Sequence, residues 1–61
     1  MINFSLGDIV SIKSGNLYSG DRGMIVDVSS GQYCVNLWLI GKVINFVPEN
    51  IHLVQSLGGL E

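Results

Sequence analysis

The sequence contains one cysteine, one proline, one histidine and three basic residues. With Cys34 alone, no disulfide can form within the chain. Cys34 and His52 are the only thiol and imidazole, and a structural zinc site takes about four such ligands. Neither a metal nor a cofactor is expected. No apolar run approaches the ~18 residues of a membrane-spanning helix. Met1-Ile2-Asn3-Phe4 carries no basic leader, so no signal peptide is expected and the membrane is not an expected partner. A lone thiol fits a reducing compartment, and the expected location is cytoplasmic.

Basic charge is scarce as well. Lys13, Arg22 and Lys42 stand against Asp8, Asp21, Asp27, Glu49 and Glu61, for a net charge of −2 and a pI near 5.0. Nucleic-acid affinity draws on clustered Lys and Arg, and three scattered cations make a poor footprint.

What the chain does have is apolar residues, 48% of 61. That length allows one small domain, which buries roughly 60% of its unfolded surface, so stability must come from packing. Long helices are not expected. Gly7, Gly15, Gly20, Gly23, Gly31 and Gly41 punctuate runs rich in β-branched and aromatic residues.

The first strand is read over Ile9 to Lys13, with Val10 and Ile12 buried and Ser11 and Lys13 wet. Ser14 to Gly23 forms a loop, and Gly23 to Val28 a second strand. In that strand the uneven spacing of Ile25, Val26 and Val28 predicts a bulge or bend. Ser29-Ser30-Gly31-Gln32 is a hairpin turn. In the third strand, Tyr33 to Leu39, the residues Tyr33, Val35 and Leu37 share the inner face. The fourth runs from Val43 to Val47 with Ile44 and Phe46 inward, and Pro48 ends it. Pro48-Glu49-Asn50 fits a 3₁₀ turn before a last strand, Ile51 to Val54. Phe4 and Leu6 are expected to cover one end of the core. Residues 55–61 read as a loose tail, with Leu60-Glu61 set aside as the kind of pair that cloning leaves. The expected architecture is all-β: one small five-stranded SH3-like barrel over residues 1–54 with a 3₁₀ turn before the last strand. A split OB-type barrel would need a longer chain and a helix.

Gly7-Asp8-x-Val10-x-Ile12-x-x-Gly15 followed by Gly20-x-x-Gly23-x-Ile25-x-x-Val28 resembles the KOW motif, the glycine-centred hairpin of ribosomal and transcription-elongation proteins. Gly23 stands where that family places its most characteristic glycine. Val35 to Phe46, with Leu39-Ile40-Gly41-Lys42 at its turn, is similar to the C-terminal KOW domain of NusG-type transcription factors. The resemblance spans Leu6 to Val54 and implies a partner in the transcription or translation apparatus. The loop departs from the family's lysine-rich pattern, with Asn16, Leu17, Tyr18 and Ser19 and a single cation, Arg22. A weaker resemblance, through the Val-x-Ile…Tyr…Gly-x-Ile opening, is to small SH3-like subunits of photosynthetic complexes. It implies a peripheral structural role.

No residue pattern points to catalysis. A nucleophile needs a base within hydrogen-bond reach and a third group to orient it. Cys34 and His52 read more simply as a small strand residue and an edge residue. Asp8 and Asp27 do not read as an acid–base pair, because Asp8 fits a turn whose backbone N–H groups it caps. Gly15, Gly20 and Gly23 precede no helix and no Gly-Lys-Ser/Thr signature, so turn geometry accounts for them.

The anomaly is Asn36-Leu37-Trp38-Leu39-Ile40-Gly41-Lys42-Val43, apolar where a hairpin tip is normally polar. With Val35 and Leu37 inward, Trp38 and Ile40 are left outside or folded over the end of the core. Tryptophan is favoured at binding hot spots. The expected function is therefore a protein-docking module using Trp38, Leu39 and Ile40, with Tyr18 nearby and Arg22 and Lys42 as a polar rim. The alternatives are single-stranded nucleic acid on the same aromatic and cationic residues, and a homodimer sealed through the patch.

Overall fold

The computed structural model describes residues 4–15 and 17–56. The lead-in Met1–Asn3, Asn16 and residues 57–61 of the tail lie outside the described residues. Five strands are present: β1 (Ile9–Ile12), β2 (Arg22–Ser29), β3 (Gln32–Leu37), β4 (Lys42–Phe46) and, after a 3₁₀ turn at Pro48–Asn50, β5 (Ile51–Gln55). They form one antiparallel sheet in the order β4-β3-β2-β1-β5.

No ladder joins the edge strands β4 and β5 among the described residues, so the expected closure by strand pairing is not observed. The core is nonetheless enclosed. Val10, Val35, Leu37 and Ile51 are all 0% exposed, although no second layer covers the sheet among the described residues. A single sheet reaches such burial only by curling over its own inner face, so that β5 and β3 side chains meet in one cluster. The predicted bend lies where the curl needs it. The β2–β3 register shifts between Ile25 and Asp27, which leaves Val26 as an extra, outward residue and bends the strand. Pro48 presets φ for the 3₁₀ turn and has no N–H to lose. That turn carries the chain from β4 back to β1, where the Lys13 N–H donates to the Asn50 carbonyl at 2.8 Å.

Aromatic pairs add to the core. Phe4 meets Tyr33 edge-on at 5.2 Å, and its N–H donates to the Tyr33 hydroxyl at 3.3 Å. Leu6, expected beside Phe4, is exposed instead. Gly23 sits against β3. A Cβ there would lie 2.8 Å from Val35 Cγ1 and closer still to the Asn36 carbonyl oxygen, so the position needs glycine for space. The β2–β3 turn uses positive φ at both Ser30 (51°) and Gly31 (77°). That is the twist a two-residue hairpin favours.

Four expectations need correction. All four β1 residues are buried, Ser11 included; β1 lies between β2 and β5, and the Ser11 hydroxyl is hydrogen-bonded to His52 of β5. β3 ends at Leu37 rather than Leu39, and β4 spans Lys42–Phe46 rather than Val43–Val47. The last strand continues to Gln55, which pairs with Ile9, so the chain is still in the sheet one residue beyond the expected end.

Two substitutions test this account in urea denaturation. Gly23→Ala should lower stability by about 1–3 kcal/mol through overpacking. Ser30→Asn should raise it by about 0.5 kcal/mol, since asparagine tolerates positive φ better than serine. Each should move the midpoint with little change in the slope.

Candidate interaction surface

Leu37 is the last inward residue of β3 and pairs with Lys42. The chain between them does not extend the ladder. The Gly41 N–H donates to the Leu37 carbonyl at 2.8 Å, with Gly41 at φ 67°, closing a single helix-like turn over Trp38, Leu39 and Ile40. Inside such a turn side chains no longer alternate between two faces, so all three splay outward. Trp38 is 54% exposed, Leu39 81% and Ile40 40%. Trp38 is therefore not folded over the end of the core. Val43, the first outward residue of β4, is exposed beside them and pairs with Asn36.

The expected rim residues are brought to this turn. The Trp38 N–H donates to the Arg22 carbonyl at 3.1 Å, which holds Arg22 on the neighbouring strand, and Lys42 opens β4 at the foot of the turn. Both side chains are exposed. Tyr18 is not brought there. Its ring packs edge-on against Phe46 at 6.1 Å and joins the core cluster. Phe46 pairs with Tyr33 at the far end of β4 from Lys42, about 13 Å along the strand at ~3.3 Å per residue.

The residues weighed for catalysis are separated. Cys34 pairs with Asp27 and Asn45, while His52 pairs with Ser11, three strand spacings away across the sheet. Asp8 accepts from the Ser5 N–H at 2.9 Å and the Ser56 hydroxyl at 3.4 Å, as its turn position predicts. Asp27 accepts from the Val28 N–H at 2.8 Å. Among the described residues, no three His, Cys, Asp or Glu side chains lie close enough to share a metal ion. No helix there is long and apolar enough to cross a membrane.

One feature of the surface is absent from the sequence reading. An open cleft of ≈ 500 Å³ lies over β1, lined by Ser11, Lys13, Ser14, Ser19, Arg22 and His52 among others. The Ser11 Oγ and His52 Nε2 atoms are 2.6 Å apart and hydrogen-bonded. These partners are 41 positions apart in sequence, and only the β1–β5 register brings them together.

Comparison with protein-family models, with curated proteins and with solved structures finds no match.

The exposure of Trp38 and the burial of its neighbour predict opposite energetic outcomes. Leu37→Ala should cost about 2–5 kcal/mol in urea denaturation, as a buried truncation. Trp38→Ala should cost within about 1 kcal/mol and leave the fold intact by NMR, because half of the indole already faces water.

Proposed function

We propose that the chain is a non-catalytic interaction module of KOW-like, SH3-like type that docks a protein partner through the turn Trp38-Leu39-Ile40. The observation that carries this reading is a contiguous exposed apolar turn at a hairpin tip, with Trp38 at 54% and Leu39 at 81%. Covering one such side chain returns about 1.5–3 kcal/mol, and large rigid side chains of this kind supply hot spots. Val43 extends the apolar area, and Arg22 and Lys42 border it, which suits a partner groove with an acidic rim. The KOW-like spacing of Gly7, Gly15, Gly20 and Gly23, together with the NusG-like turn at Leu39-Ile40-Gly41-Lys42, supports a partner from the transcription or translation apparatus.

A second reading has its own observation. The backbone hydrogen bond from Trp38 to Arg22 places an aromatic residue of the turn beside a cationic residue at the start of β2. Stacking platforms for single-stranded nucleic acid combine these two groups. The low count of cations weighs against it. A peripheral subunit or a homodimer would use the same turn.

The test is retention of cellular proteins on the immobilised chain, compared with Trp38→Ser and Leu39→Ser, across salt steps and with nuclease. Protein docking predicts a discrete retained polypeptide, insensitive to nuclease and nearly so to salt, and lost with either variant. Nucleic-acid binding predicts loss with nuclease and an affinity falling by about 0.7 log units per log of salt for each phosphate contacted. Identical retention by wild type and both variants would remove the turn from consideration. Sedimentation of the free chain over a range of concentrations reports self-association.

A further inference from the structure

We propose that the free edge of β4 pairs with the same edge of a second copy of this chain, giving a two-fold dimer with one continuous sheet. No strand lies beyond β4 among the described residues. The hydrogen bonds of its neighbour β3 show which backbone groups of β4 face outward. The Trp38 N–H donates to the Arg22 carbonyl, so the backbone of Trp38 is turned toward β2. Alternation along the strand then turns Asn36 and Cys34 toward β2, and Leu37, Val35 and Tyr33 toward β4. The bond from the Gly41 N–H to the Leu37 carbonyl agrees with this. Lys42, Ile44 and Phe46 are the register partners of those three. The N–H and C=O groups of Val43 and Asn45 therefore point away from the sheet, and both residues are exposed.

Such a row of groups is a template for another strand unless charge, proline or a bulge guards it. The other edge, β5, is guarded by a register shift against β1. β4 pairs with β3 in unbroken register and contains no proline, and Lys42 is the only charged residue in 36–48. The occupant that fits this edge is the edge itself. A two-fold axis perpendicular to the sheet sets two β4 strands antiparallel, with both inner faces on one side. Pairing Val43 with Asn45 of the second copy satisfies the outward groups of both. That register places Ile44 opposite its own equivalent on the inner face, where each is only half-buried against its own core. Lys42 falls opposite Phe46 rather than opposite Lys42, so like charges do not meet. Gly41 falls opposite Val47, which brings two exposed apolar residues, Ile40 and Val47, to the same end of the seam. Because the axis uses one edge twice, association stops at two copies. This pairing is independent of the partner proposed for the turn, since backbone groups of β4 form the seam.

The experiment is sedimentation of the full chain under reducing conditions, together with half-filtered NMR on a mixture of labelled and unlabelled chain. A seam of five residues is smaller than a standard interface, so a monomer–dimer equilibrium is expected between roughly 10 μM and 1 mM. The expected NMR signature is a contact between the Ile44 Hα and its equivalent in the second copy, across a non-hydrogen-bonded pair. Val43→Pro removes one outward N–H from each copy without touching the β3 ladder, and should weaken association about tenfold or more. Val43→Lys keeps the backbone donor but charges the edge, and should weaken association while retaining a native amide spectrum. Val54→Lys adds the same charge to β5 and should leave the equilibrium unchanged. A chain that stays monomeric throughout that range would overturn the proposal. So would a dimer that both Val43 variants retain, or one that Val54→Lys breaks. Association lost with Leu39→Ser but kept with Val43→Lys would place the contact on the turn and overturn the edge pairing.

Discussion

A single sheet that must bury its own inner face is the constraint from which the rest of this molecule follows. No other layer is available among the described residues, so apolar side chains on five strands can leave water only if the sheet curls. Curling requires β2 and β3 to approach closely, which leaves room for no side chain at Gly23. It also requires β2 to bend, which the extra residue at Val26 permits. The 3₁₀ turn then returns β5 to pair with β1, and the ring pairs Phe4–Tyr33 and Tyr18–Phe46 pack into the same core cluster. A core made this way is thin, and its capacity is set by one face of each strand.

Much of that arrangement was legible in the sequence because its signals are local. The alternation of Tyr33, Val35 and Leu37 marked the inner face of β3. The uneven spacing after Ile25 marked the bulge, and Pro48 marked the end of the strand before it. The errors arose where distant chain decides the outcome. The alternation of its neighbours makes Ser11 look wet, but β5 pairs alongside β1 and supplies His52, 41 positions later, as its partner. The third strand was read two residues too long. The apolar pattern runs unbroken through Trp38 and Leu39, and nothing local announces the bond from Gly41 that closes the turn at Leu37.

The candidate surface divides in the same way. Excess apolar residues near the β3–β4 tip could be counted from the sequence, and the register that gathers Arg22 and Lys42 beside them follows from the hairpins. Tyr18, at the tip of the first loop, can by its sequence either join that surface or shield the mouth of the barrel. A loop tip can fold inward, however, and the ring of Phe46 offers it an edge-on partner worth about 0.5–1.5 kcal/mol beyond area burial. The cleft was not legible at all. Its lining comes from β1, the first loop, β2 and β5, and each contributing residue is ordinary in its own segment.

Exposure of apolar side chains is by itself weak evidence for an interface in so small a molecule. Val28, Val47, Leu53 and Val54 are also exposed, as expected when a thin core fills before the apolar residues run out. They lie on β2, on β5 and just after β4, flanked by polar residues such as Asp27, Ser29, His52 and Gln55. Trp38, Leu39 and Ile40 differ in being three in a row, and in belonging to a turn whose closing bond presents all three at once. A contiguous patch offers a partner one complementary surface, whereas apolar residues scattered over separate strands do not. Contiguity, rather than the amount of apolar area, is what distinguishes this turn from the remainder of the surface.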